Sequence, residues 1–402
     1  MPEISVILPD GSSLAVAEGA TVHDVAGTIG ARLAAAALAG RIDGRLVDIG
    51  ATVTDGARIE IITERSPEAL ELLRHSAAHV MAEAVKQLFP LAKFGIGPAI
   101  DEGFYYDIEI DRTFTPDDLG AIEERMRAIV AEEQPFERTV LDKLEAERVF
   151  DGQPYKLELI ADLPDAEELS AYTSGIFTDL CRGPHVPNTG WVKAFKLMKV
   201  AGAYWRGDST RPMLQRIYGT AWFSEKDLQA YLTRLEEAEK RDHRKLGREM
   251  DLFHFDDMAG SGLVFYHPKG ARVLHELIEW LSADLYERGY VEIRTPHVYR
   301  ADVWKTSGHW DFYRENMYPF KVDEGEGKEP ADYAVKPMNC PGAVLIYAND
   351  VRSYRDLPMR LFEFGTVYRH EKSGVVHGLM RVRGFTQDDA HIFCTGEQIV
   401  PE

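Results

Sequence analysis

The sequence predicts an α+β chain of several domains, and three observations carry that reading. The chain has 402 residues, too many for one ordinary hydrophobic core. Residues 1 to 63 alternate apolar and polar positions around turn signals, as short strands do. Farther on, two long stretches with helical apolar spacing stand among Gly- and Pro-punctuated, strand-like text. Hydrophobic residues make up 45% and charged residues 28% of the chain, the composition of a soluble globular protein.

Within residues 1 to 63, Ile4, Val6 and Leu8 alternate, Pro9-Asp10-Gly11 marks a turn, and Leu14 and Val16 resume the alternation. A helix follows from about Val22, and Arg58 to Ile62 reads as a closing strand of this small α/β domain. Residues 64 to 225 read as a second, α+β domain. One helix opens near Ser66-Pro67-Glu68 and runs through Phe89, and another spans Pro116 to about Glu133. Residues 226 to 242 are expected to link the domains, within a charged helix over 225 to 250 that carries Leu232, Leu235 and Ala238 on one face. Residues 243 to 402 open a third domain. Its expected elements are a long helix from about Gly270 to Gly289, a strand from Tyr290 to Arg294 and a turn at Pro296. Gly325 to Pro330 reads as a loop tip.

The formal charge of −20 argues against a protein that coats nucleic acid without regard to sequence. Local patches decide RNA binding, and residues 352 to 384 hold seven Arg or Lys against three acidic residues, a local +4. Only three cysteines are present, Cys181, Cys340 and Cys394. An odd, sparse set fits a reducing cytoplasm, where cysteine more often binds metal or reacts than forms disulfides. No signal-peptide pattern opens the chain, and the small-residue run from Ala31 to Gly40 is far too short to span a bilayer.

His75 and His79 are four apart on a predicted helix, so both project from one face. Cys181 and His185 are also four apart, with Gly183-Pro184 between them placing that pair on a loop or strand end. One histidine alone is ordinarily structural, but two spaced pairs of metal-capable residues in one domain are not a usual core pattern. Two chemistries suit them. One is a Cys-His₃ zinc site. The other is a hydrolytic site in which histidines and a carboxylate position a water.

This His-x₃-His and Cys-x₃-His pairing resembles the editing domain shared by threonyl- and alanyl-tRNA synthetases. Gly95–Pro98, Gly103–Asp107, Pro154–Lys156 and Tyr204–Gly207 resemble the threonyl branch. The resemblance implies an editing pocket of His75, His79, Lys156, Asp179, Cys181 and His185. Lys156 and Asp179 would align the attacking water and the ribose hydroxyl of the tRNA end. In the alanyl branch the cluster binds zinc, whereas the bacterial threonyl branch is thought to hydrolyse without it, so both chemistries stay open. The first 63 residues resemble the ubiquitin-like TGS module of RNA-associated proteins.

The run Arg360 to Glu371, followed by Gly378 to Phe393, resembles motif 2 of class II aminoacyl-tRNA synthetases, in its threonyl form. The helix, strand and Thr295-Pro296 upstream resemble motif 1, a dimer-interface element. The implied third domain is a partial class II catalytic core on an antiparallel sheet. Position by position, Arg369 would bind the ATP α-phosphate by charge-assisted bonds and Glu371 the adenine amino group. Phe385 would stack on adenine, Gln387 and Asp389 would hold the threonine ammonium and the adenylate, and Met338 would line the floor. Cys340 and His391 match two of three zinc ligands, and the third matching position lies later in the family's chain. One departure is Ala343, where the family usually has histidine.

The two sites make physical sense together. A zinc that chelates the threonine amino and hydroxyl groups rejects valine strongly, because valine lacks the hydroxyl. Serine lacks only a methyl, worth roughly 1–3 kcal/mol, so a second, hydrolytic site is expected. The resemblance therefore implies a threonine–tRNA ligase. Its substrates would be threonine, ATP with Mg²⁺ and tRNA(Thr), its metal one Zn²⁺, and its form a cytoplasmic homodimer without membrane association. The sequence stops at Glu402, before the positions that match motif 3 and the anticodon-binding domain. A truncated chain unable to form threonyl-adenylate is the expectation that follows. Two other functions compete with the ligase: a free-standing Ser-tRNA deacylase and a non-catalytic RNA-binding module.

Overall fold

Strands Glu3–Ile7 and Ser13–Ala17 pair antiparallel across the Pro9–Gly11 turn in a computed structural model that describes residues 2–164, 169–325 and 327–402. Val6 and Val16 face inward from them onto Val22 and Val25 of the helix Val22–Ile29. Thr21 starts that helix with a reciprocal capping box to Asp24, which satisfies otherwise orphaned backbone donors. The run from Ala31 to Gly40 divides: Ala31–Ala36 is helical and Ala37–Ile42 is a strand. That strand is the centre of a three-stranded antiparallel sheet with Arg45–Asp48 and Ile59–Thr63 on either side.

The next helix, Ala69–Leu88, is buried along most of its length. It lies on a five-stranded sheet in which Met213–Trp222 pairs antiparallel with both Ala194–Tyr204 and Gly103–Glu109. Phe104, Tyr106, Ile108 and Ile217 from the sheet share a core with Leu73, Ala77, Met81 and Val85 from the helix. Leu38, Ala39 and Ile62 of the N-terminal module belong to the same core. The helix Pro116–Ala131, capped by a Thr115–Asp118 box, packs on it through Ile122, Met126 and Ile129. A second sheet orders the strands Phe177–Leu180, Leu169–Ser174 and Glu137–Leu141.

The chain divides into two compact units at Arg234/Leu235, inside the helix Glu225–Lys240. The single charged helix expected over 225 to 250 is in fact two. Asp242 has non-helical ψ 115° and turns its carboxylate onto the Arg244 amide, so it caps a separate helix, His243–Glu249.

In the second unit the long helix is Pro268–Glu287, with Pro268 in its first turn, where the missing N–H costs nothing. The strand expected over Tyr290 to Arg294 shrinks to Val291–Glu292. Thr295-Pro296 follows closely, and proline can neither donate to a ladder nor leave its predecessor unrestricted. This short strand runs parallel to Met359–Tyr368, the one parallel pairing among the described strands of the unit. Met359–Tyr368 in turn pairs antiparallel with Gly384–Phe393 over ten positions. The expected loop tip at 325 to 330 includes Glu326, which lies outside the described residues. Among the described residues, no helix is long and apolar enough to cross a membrane.

Candidate hydrolytic site and nucleotide cleft

His75 and His79 leave the same face of the helix Ala69–Leu88. Cys181 and His185 come to them from the loop that follows strand Phe177–Leu180, which contains a cis Gly183–Pro184 bond. One donor atom from each of the four side chains lies within 4.8 Å of the others, and no other such group occurs among the described residues. Cys181 Sγ is 3.1 Å from His75 Nε2 and 3.5 Å from His185 Nε2. The Ser76 hydroxyl donates to the Leu72 carbonyl and its oxygen accepts the Val186 amide. At 3.0 Å from His185 Nδ1, that oxygen is therefore the acceptor of an Nδ1–H. His185 Nε2 is left as a bare lone pair facing the thiol.

Lys156 and Asp179 are each only 3% exposed and form an ion pair. They are a buried pair, not two surface charges. Tyr106 completes the arrangement: its hydroxyl accepts from Lys156 Nζ at 3.0 Å and donates to Asp179 Oδ2 at 2.5 Å. His79 Nε2 lies 3.4 Å from the same carboxylate. Burial alone would raise the Asp179 pKa, but Lys156, His79 and the Tyr106 hydroxyl together hold it below the usual value.

Burial governs the protonation of the rest. It lowers His75, opposed in part by Asp179 and a hydrogen bond to the Pro184 backbone. It lowers His79 to about 3 and His185 well below its ordinary value. It pushes the Cys181 thiol up to about 12, with Asp179 adding to the effect. Near neutral pH the cluster therefore holds three uncharged imidazoles and a protonated thiol. A cleft of about 300 Å³ leads to His75, lined also by Leu46, Glu68, Pro98 and Gly183.

The donor set suits zinc chemically, since imidazole and thiolate are its usual ligands. Binding would require the thiol to lose its proton. Without a metal, Cys181 meets His75 and His185, Ser76 holds His185, and Asp179 faces His79, which suits a water-activating site.

The second cluster lies on the strand pair of the other unit. Phe385, Gln387, Asp389 and His391 alternate along one strand, opposite Val367, Gly365, Glu363 and Leu361, so all four share a face. The Arg369 guanidinium stands 5.2 Å over the Phe385 ring and donates from Nε to the Pro337 carbonyl. Arg369, Glu371 and Phe385 line one cleft of about 850 Å³. The Glu371 carboxylate is held by Arg381 at 3.0 Å. Asn339 is fully buried and donates to Asp389 Oδ2 at 3.0 Å. Cys340, the next residue, starts the helix Cys340–Ala348. The residue is exposed at the surface, and partial desolvation of its thiol together with the Asp389 charge raises the thiol pKa. Met338 packs against the Tyr299, Trp304 and Ala334 core rather than standing exposed.

Family models match three segments of the chain. The TGS domain matches residues 4–63, and the second additional domain of threonyl and alanyl tRNA synthetases matches 169–218. The class II core domain of the tRNA synthetases for G, H, P, S and T matches 320–402. These are the parts of a class II aminoacyl-tRNA synthetase with an additional domain. A threonine–tRNA ligase from Citrifermentans bemidjiense is 56% identical, covering 100% of this chain and 62% of that protein. One from Pelobacter propionicus is 55% identical, covering 99% of this chain and 62% of that protein. The chain is thus similar along its whole length to threonine–tRNA ligases, and it spans 62% of the length of these relatives.

Proposed function

We propose that the chain serves threonine–tRNA ligation, and that its His/Cys cluster removes serine from mischarged Ser-tRNA(Thr). The observation that carries the hydrolytic reading is the convergence of four metal-capable side chains on a buried Lys156–Asp179 pair. His75 is the imidazole that lines the cleft. As a neutral base it takes a proton from the water that attacks the ester carbonyl. Lys156 and Asp179 orient the terminal ribose hydroxyl. The Cys181 thiol, pushed up to about 12, is not a thiolate nucleophile near neutral pH, so water attacks directly and Cys181 holds the imidazoles in place. If zinc occupies the cluster, His75, His79, Cys181 and His185 are its ligands, and it would supply Lewis acidity to the bound water.

In the second site, Arg369 binds the ATP α-phosphate, Phe385 stacks on adenine and Glu371 accepts from its amino group. Gln387 and Asp389 hold the threonine ammonium and adenylate, with Met338 on the floor. Cys340 and His391 supply two donors to a zinc that selects threonine, while Mg²⁺ accompanies ATP. The domain limits 1–63, 64–225, 226–242 and 243–402, homodimer formation and a cytoplasmic setting belong to the same proposal.

The test is serine release from Ser-tRNA(Thr) by the purified chain, abolished by His75→Ala. A folded chain that releases no serine would overturn the hydrolytic reading. Threonine-dependent pyrophosphate exchange, abolished by Arg369→Ala, tests the activation site separately.

A further inference from the structure

We propose that the N-terminal module is a working part of the hydrolytic site, with Asp48 a positioning residue that fixes the Cys181–His185 loop. The proposal rests on the deacylase reading and deepens it. Asp48 ends the strand Arg45–Asp48, and its carboxylate reaches across 137 and 124 positions of sequence. Oδ1 accepts the backbone N–H of His185 at 3.0 Å, and Oδ2 accepts the Tyr172 hydroxyl at 2.6 Å. Tyr172 is buried, and its ring lies 4.6 Å from that of His185. Gly183 closes over the same hydroxyl, so closely that a Cβ there would lie 1.9 Å from it. One carboxylate thus anchors the loop at the residue whose imidazole must meet both Ser76 and Cys181.

A bond that only glued two modules together would have no reason to end on a site residue. The placement of Leu46 argues the same way. It lies two residues before Asp48 on the same strand and forms part of the cleft wall beside His75 and Gly183. The helix that carries His75 and His79 shares its core with Leu38, Ala39 and Ile62 of the module. The module therefore touches the entrance, the loop and the helix of one site. Its ligand there is the aminoacylated 3′ end of an RNA.

The test uses the whole chain and Ser-tRNA(Thr). Asp48→Ala is expected to lower the kcat of serine release by roughly tenfold, with KM within about threefold, because positioning errors act on the reacting geometry. Asp48→Asn keeps an oxygen acceptor for the His185 amide and is expected to return kcat to within about threefold. A wild-type chain that releases serine and an Asp48→Ala chain of equal kcat would sink this proposal alone. A wild-type chain that releases none would sink the deacylase reading and this proposal with it. Should Asp48→Ala not fold, Tyr172→Phe carries the test, since it keeps the ring and removes one bond to Asp48. A lower kcat at unchanged KM then supports the brace, and an unchanged kcat overturns it.

Discussion

Tyr106 gives its phenolic hydrogen to Asp179 Oδ2 at 2.5 Å, in a place where neither side chain meets solvent. Its oxygen takes a hydrogen from Lys156 in return. Tyr106→Phe keeps the ring packing and leaves two buried charged groups each short of one partner. A buried group so deprived costs about 1–3 kcal/mol, and the variant is expected to lose stability in that range in urea denaturation. Serine release is expected to slow by roughly 10–100-fold, because a displaced Asp179 no longer aligns the substrate.

The Lys156–Asp179 pair separates stability from chemistry. Lys156→Met leaves a buried carboxylate without its countercharge, which costs about 3–5 kcal/mol. Adding Asp179→Leu removes that orphan charge, and the double variant is expected to regain most of the loss. Serine release stays absent in both. A melting curve and a deacylation assay on the three chains check this. Activity restored together with stability would show that the pair is only structural.

These residues also show how far the sequence could be read. His75 and His79 were legible from helical spacing alone, because a helix fixes which residues share a face. The strand pair bearing Phe385, with Arg369 just past the end of its partner strand, was legible too, since both strands carry their pattern locally. Tyr106 sits inside the Gly103–Asp107 run noted in the sequence, yet nothing local distinguishes it from Tyr105. Strand alternation sends Tyr106 to the core and leaves Tyr105 only partly covered, and that choice depends on which face meets the helix Ala69–Leu88. Asp48 was illegible, because its contacts lie in a different module. The break at Asp242 was hidden by continuous helix-forming text on both sides.

The lowered histidine pKa values make the fold sensitive to acid. The unfolded chain protonates His75, His79 and His185 below about 6.5, while burial lowers all three in the folded site, His79 to about 3 and His185 well below its ordinary value. The unfolded state then binds more protons, so stability falls as pH drops below 6.5, by up to about 1.4 kcal/mol per pH unit for each such histidine. Asp179, lowered from 3.8, adds loss in the same direction at still lower pH. Cys181 acts at the other end: unfolded it ionises above about 9, folded only near 12, so stability declines above pH 9. Urea denaturation across pH is expected to show a plateau between about 6.5 and 9. Replacing His79 with Gln should flatten the acid limb by one histidine's share.

Chelation separates the two chemistries open to the cluster. Every donor there has a partner without a metal: Cys181 on His75, Ser76 on His185, and Asp179 on His79. Serine release is therefore expected to survive prolonged treatment with a strong chelator, and added zinc is expected to inhibit by drawing the imidazoles away from the water. Activity lost on chelation and regained with one equivalent of zinc would instead assign the cluster as a metal centre. Cys181→Ser would then abolish zinc uptake there, and Cys340→Ser would not.

Gly183 is the tightest steric constraint on the Cys181–His185 loop. Its φ of +63° is strained for any residue with a side chain, and an added Cβ would fall 1.9 Å from the Tyr172 hydroxyl and 2.4 Å from its ring. Gly183→Ala is expected to cost about 1–3 kcal/mol through backbone strain and overpacking, and to slow serine release by moving His185 off Cys181. The two contributions separate in a double-mutant cycle with Tyr172→Ala. Removing the ring clears the space the new methyl needs, so the double variant should lose less stability than the two single losses added together. The remainder of the Gly183→Ala cost, measured in the Tyr172→Ala background, is the backbone share. If the two losses simply add, the methyl meets no ring, and the packing of Tyr172 over the Gly183 turn is not what holds the loop.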